Sequence, residues 1–171
     1  MPAGRIRAGA MRPLLVALLC GLALSACGDR GAGANLRFAQ AFLAANAKLP
    51  GVVALPSGLQ YRVLRSGPVG GASPTLGDRV LVHYEGRLPD GKVFDSSYKR
   101  GAPAAFALAG LVPAWTEALQ RMRPGDMWMV YSPPALGYGA EGAGPIPPNS
   151  ALVFKIELIA ILPADASVGS G

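Results

Sequence analysis

The chain is short of the residues on which most enzymes depend. It has one histidine, His83, and two cysteines, Cys20 and Cys27. A single imidazole excludes a multi-histidine metal site. Both thiols precede residue 28, which excludes a disulfide framework or a thiolate zinc site in the rest of the chain. There is no glycine-rich phosphate loop, and no serine stands in a G-x-S-x-G elbow. Acidic residues are few, 10 against 16 basic, but the excess is spread out. No basic stripe of the kind that follows a phosphate backbone is present, so a nucleic-acid partner is not expected. No cofactor and no metal are expected either.

What is present begins with an address. Residues 1–27 read MPAGRIRAGAMRPLLVALLCGLALSAC, with arginines first, then an apolar run from Leu14 to about Ala23, then small residues before Cys27. Charged, apolar, small is the order of a secretory leader. The apolar run is shorter than the roughly 20 residues that a spanning helix needs. Leu24-Ser25-Ala26-Cys27 resembles a bacterial lipobox, which implies a leader over 1–26, a true start at Met1 or Met11, and a mature protein beginning with an acylated Cys27. Several acyl chains give stable anchoring where one is marginal. Loss of Arg5, Arg7 and Arg12 with the leader takes the net charge from +6 to +3.

Residues 27–56 are expected to form the acylated N-terminus, a flexible tether and one short helix. Gly28 to Ala34 is glycine-rich, as a tether is. Phe38, Ala41, Phe42, Ala45 and Leu49 then recur at three- and four-residue spacing, which predicts a helix over 37–49 with Asn35 as its cap and Pro50-Gly51 as its stop.

From residue 57 the period changes to two. Leu59, Tyr61 and Val63 alternate with polar residues. Val80, Val82 and Tyr84 share one strand face and His83 the other. Trp128 and Val130 alternate in DMWMVY, and ALVFKIELIAI at 151–161 is the longest strand-like run. Pro89-Asp90-Gly91 and Arg123-Pro124-Gly125-Asp126 are turn sequences, the second of type II. One segment, LVPAWTEALQRM at 111–122, is helical instead, with Val112, Trp115, Leu119 and Met122 on one face and Pro113 in its first turn. The fold class is α+β, an antiparallel sheet with one short helix against it. It occupies 57–162, and 163–171 is a frayed tail.

Four separated motifs in this domain, VLVHYEGRL, GKVFDSSYKRG, LVPAWTEAL and GYGAEGAGPIPPNSALVF, resemble the FKBP family of peptidyl-prolyl cis-trans isomerases. The likeness runs from residue 57 to about 162. The junction of helix 37–49 with SGLQYRVL resembles the Mip- and FkpA-like members, which carry a much longer helical dimerisation region; with only a remnant of it here, a monomer is expected. The resemblance implies a sheet half-wrapped around the helix and an apolar pocket between them. It implies catalytic roles for Tyr84, Phe94, Asp95, Trp115, Tyr138 and Phe154, and substrate contacts from Arg100, Phe106, Val112 and Ile146. Tyr138 would donate a hydrogen bond to a substrate carbonyl, as would the Ile146 backbone N–H, while Asp95 and Arg100 would pair beside the Tyr84 hydroxyl. The implied partners are proline-containing peptides and unfolded clients, a membrane through Cys27, and macrolides such as tacrolimus and rapamycin. The implied place is the bacterial cell envelope, facing the periplasm. The alternative is a non-catalytic chaperone or adaptor that uses the same groove. Ala114, Ala104 and Leu111-Val112 depart from the commoner family residues near the pocket.

Overall fold

The computed structural model describes residues 26–162, with side chains described from Gly31 onward. Apart from Ala26, the expected leader lies outside the described residues, and so does the tail. The organising strand is β3 (Arg79–Arg87), whose residues alternate between buried and half-buried along its whole length. That is the period-two pattern of a strand with one face on a core. On one side it pairs antiparallel with β7 (Leu152–Leu162) from end to end. β7 pairs with β6 (Met127–Ser132), β6 with β2 (Gln60–Arg65), and β2 with β1 (Val52–Ala54), all antiparallel. On its other side β3 meets two short strands in succession. β4 (Val93–Ser96) lies opposite Glu85–Arg87, and β5 (Ala104–Ala107) lies opposite Arg79–Val82. Between them the chain leaves the sheet as one helical turn, α2 (Ser97–Arg100), which Gly101 closes with a φ of 74°.

One face of the sheet packs on α3 (Pro113–Leu119). The helix begins after Val112, whose backbone is extended, so it is shorter than the 111–122 segment expected, but the predicted face is the buried one. Trp115, Leu119 and Met122 are at most 4% exposed, and they share a core with Val80, Val82, Val130, Ile156 and Leu158. The turn at Arg123–Asp126 has Gly125 at φ 93°, as a type II turn requires.

The other face departs from expectation. Residues 28–34 are not a tether but part of a 21-residue helix, α1 (Ala26–Asn46), with Cys27 as its second residue. Nor is its buried stripe the predicted one. Ala39, Leu43 and Asn46 face the sheet with Phe42 at their side, whereas Ala41 and Ala45 are exposed, Phe38 is 58% exposed and Leu49 lies past the helix end. Asn35 does not cap the helix; it sits inside it, and its side chain donates to Pro148 O at 2.9 Å. The cause is tertiary. Ala39 and Leu43 pack on Met129, Tyr131, Ala151 and Val153. Asn46 donates to Gln60 Oε1 at 2.8 Å, and Gln60 donates to Leu43 O at 2.9 Å, in a buried pair of amides. Burying Leu43 contributes about 1.5–3 kcal/mol, and the amides fix where along the sheet that burial occurs. The sheet is thus covered on both faces, by α3 and by α1. Val63, expected to be buried with Leu59 and Tyr61, is 44% exposed, and a bulge follows it between Val63 and Arg65.

Candidate functional site

The cleft opens between α3, the concave face of β3 and β7, and the loop after β6. Its volume is about 300 Å³. Trp115 forms its floor and is held edge-on by three rings. The centroids of Tyr84, Phe154 and Phe106 stand 5.0, 5.5 and 5.9 Å away at interplanar angles of 82–89°. Phe94 extends the wall by an edge contact with Phe154 at 5.9 Å. Edge-to-face pairs of this kind fix ring orientation as well as burying area. Trp115, Phe154 and Tyr84 are all at most 6% exposed, so the cleft is nearly without water-facing groups at its base. Leu111, Val112 and Gly110 at the start of α3 complete one side.

One polar group interrupts this wall. The Tyr84 hydroxyl donates to Asp95 Oδ2, and Arg100 donates to both, through Nη1 to Asp95 and through Nη2 to the Tyr84 oxygen at 2.8 Å. The guanidinium also lies 5.5 Å above the Tyr84 ring. α2 makes this closure possible, because leaving the sheet for one turn brings Arg100 back over the strand that carries Asp95. Burial opposes ionisation of Asp95, but the bonds from Tyr84 and Arg100 outweigh it and hold the carboxyl below its usual range. Burial, followed by the bond to Asp95, pushes the Tyr84 phenol up. Asp95 and Arg100 are each about half exposed, so their pairing adds little stability; its consequence is orientation.

Tyr138 lies at the rim, 38% exposed, and its hydroxyl has no hydrogen-bond partner among the described residues. Ile146 is placed differently from expectation. Its side chain is buried in the core beside the cleft, and its N–H donates to Ala143 O at 2.9 Å. The loop closes on itself there as a small antiparallel bridge, Ala143 with Ile146, so the amide proton expected to face a substrate already has an acceptor. Arg100 likewise backs Tyr84 rather than lining the cavity. Phe106 and Val112 line it as expected.

Two contributors escape a reading of residue type. Gly86 follows Tyr84 on the same face of β3, and a Cβ there would stand 2.5 Å from Phe94 Cε2 and 3.1 Å from Phe154 Cε1. The missing side chain is the space that the rings fill. Ser97 is fully buried, and its hydroxyl accepts from Tyr84 N at 2.7 Å and meets His83 Nδ1 at 2.9 Å. It ties α2 to β3 from behind the cleft. His83 itself stacks on Tyr98 at 4.7 Å, away from the cavity as strand alternation predicts, although half-buried rather than a free surface group.

Among the described residues no cluster of metal-ligating side chains occurs, and no helix is long and apolar enough to cross a membrane. A family model described as FKBP-type peptidyl-prolyl cis-trans isomerase matches residues 70–159, and one described as the domain amino terminal to it matches 24–63. The chain is 56% identical over 128 residues to the peptidyl-prolyl cis-trans isomerase Mip of Coxiella burnetii, covering 74% of this chain and 55% of that protein. It is 48% identical to the outer membrane protein MIP of Legionella longbeachae, over 78% of this chain and 57% of that one. The crystal structure of FkpA from Escherichia coli superimposes with a TM-score of 0.78 at 41% identity, covering 82% of this chain and 65% of that one. The chain therefore spans a little over half the length of these curated relatives. An aromatic cleft on a half-wrapped antiparallel sheet, and family matches over both the cleft domain and the segment before it, place this chain in the FKBP-type peptidyl-prolyl cis-trans isomerase family.

Proposed function

We propose that this chain accelerates cis-trans isomerisation of X-Pro bonds in proteins folding outside the cytoplasm, while acylated Cys27 holds it to a membrane of the cell envelope. The observation that carries the catalytic reading is the cleft floor. Trp115, Phe154 and Tyr84 offer a proline ring an apolar seat with almost no exposure to water. Rotation about the bond is opposed by amide resonance, with a barrier of about 18–20 kcal/mol, and uncatalysed exchange takes tens to hundreds of seconds. The planar amide is more polar than the twisted one, so water favours the planar form. A site that replaces water by Phe94, Phe154 and Trp115 weakens that preference. Tyr138, with its free hydroxyl at the rim, is the group suited to hold a substrate carbonyl while the bond turns. Tyr84, Asp95 and Arg100 keep the wall rigid and transfer no proton.

Support for the anchor is the Leu24-Ser25-Ala26-Cys27 string after the apolar run, together with likeness to a relative named as an outer membrane protein. The functional test is exchange of a proline peptide, followed with and without the protein. Turnover is expected, with inhibition by tacrolimus or rapamycin and a change in Trp115 emission on their binding. Trp128 is packed on Tyr61 at 4.2 Å, so a Trp128→Phe background assigns the signal. Macrolide or peptide binding without turnover would instead mark a chaperone or adaptor. Radiolabelled palmitate is expected in the wild type and not in Cys27→Ala; equal labelling refutes the anchor.

A further inference from the structure

Among the hydrogen bonds given by side chains, two join the most distant parts of the chain, and they meet at one place. Asn149 Nδ2 donates to Ala32 O at 3.2 Å, across 117 residues, and Asn35 Nδ2 donates to Pro148 O at 2.9 Å, across 113. One runs from loop to helix and the other from helix to loop, one turn of α1 apart. Asn149 is the only non-glycine residue at positive φ among the described residues, at 55°. Such a backbone costs energy in most residues and is tolerated best by Asn, Asp and Gly. Its N–H, in turn, donates to Gly139 O at 2.8 Å, beside the rim residue Tyr138, and Gly142 N–H donates to Tyr138 O at 3.1 Å. A continuous set of bonds therefore runs from α1, through Asn149, to the loop that carries Tyr138 and Ile146.

From this we infer that α1 is a positioning element for the cleft, and that Asn35 and Asn149 are positioning residues that hold the 138–149 rim for substrate. Neither touches the cavity, which excludes direct contact with a bound proline. The rim is rich in small residues, Gly139, Ala140, Gly142, Ala143 and Gly144, and Ile146 is the one side chain it buries. Its own bonds are few and local. Beyond that burial, what fixes it from outside is a pair of amides, Asn35 on α1 and Asn149 in the loop, and the position of α1 on the sheet is in turn set by Leu43 and the Asn46–Gln60 pair. The inference deepens the isomerase reading and rests on it for its catalytic consequence, but the ordering of the rim is measurable without turnover.

The test uses the full chain with Asn149→Gly, which permits the positive φ and removes only the amide, and with Asn35→Ala. Amide exchange is followed at Ala143, Ile146 and Asn149, and at β3 and β7 as reference. A net hydrogen bond of ordinary strength corresponds to about fivefold in an opening equilibrium, so rim amides are expected to exchange about fivefold faster in each variant while the sheet is unchanged. KM for a proline peptide is expected to rise by a similar factor with kcat altered less, and the Trp115 emission of the free protein to stay as in the wild type. Unchanged rim exchange in both variants overturns the inference, as does faster exchange spread evenly over rim and sheet. A wild type without turnover refutes the isomerase reading instead, and the exchange measurement still decides whether α1 orders the rim.

Discussion

Gly86→Ala adds one methyl group at a crowded point of the cleft wall. The new carbon would lie 2.5 and 2.7 Å from two atoms of Phe94 and 3.1 Å from Phe154. β3 cannot retreat, since β7 is paired along its whole length on one side and β4 and β5 on the other. Phe154 is buried, so Phe94, half-exposed, is the ring that gives way. Overpacking of this kind costs about 1–3 kcal/mol, or a fall in Tm of roughly 4–12 °C for a domain of this size. If the displaced ring uncovers about 50 Å² of a bound proline, the loss at about 25 cal/mol per Å² is ~1.2 kcal/mol, near eightfold in kcat/KM. The assay is thermal unfolding and peptide exchange for Gly86→Ala, Phe94→Ala and the double variant. Because Phe94→Ala removes the atoms in conflict, the double variant is expected to be more stable than the sum of the single effects by at least about 1 kcal/mol. Strict additivity, or a Gly86→Ala protein with wild-type stability and turnover, would refute the packing argument.

Asp95 gives a test in pH. Its carboxyl is held below its usual range in the folded protein, so the group contributes stability that is present above the unfolded pKa, about 4, and is lost as pH falls through the folded value. Asp95→Asn is expected to be less stable than the wild type at neutral pH by no more than about 1 kcal/mol, since the pair is half exposed, with the gap closing in acid below about pH 4; a gap independent of pH counts against the pairing. Turnover, by contrast, is expected to be flat from about pH 5.5 to 8, since Asp95 is shifted down and Tyr84 up, both away from that window. His83→Ala is expected to keep kcat/KM within about twofold, because the ring lies on the far side of β3 and touches the cleft only through Ser97; a pH limb that disappears in this variant would make His83 catalytic.

The strands and α3 were legible because their burial follows simple periods. Val80, Val82 and Tyr84 mark β3, and Trp115 and Leu119 mark α3, with Met122 just past its end on the same buried side. α1 was not, because its docking face is built from Ala39, Leu43 and Asn46, while one of its two phenylalanines, Phe38, is exposed. A period counted on large apolar residues selects the wrong face when small residues allow close approach and amides supply the specificity. The aromatic wall could be read from motif resemblance, whereas Gly86 and Ser97 could not be assigned from residue type, since one acts by the volume it leaves and the other by a bond to the backbone. The Ile146 amide shows the limit of a motif, which places a residue but not the acceptor that its N–H has found.

The two margins of the sheet bear on what the proposed function would require the protein to avoid. An exposed strand with free amides invites another chain to add to it, and long flat margins are where aggregation begins. Here one margin is β1, three residues long, and the other is divided into two four-residue pieces by α2. A strand needs several consecutive backbone bonds to hold, and neither margin offers them in a row. If the proposed isomerase reading holds, an unfolded segment drawn to the apolar cleft would have side chains to lean on but no ladder to join, and so would leave once its proline had turned.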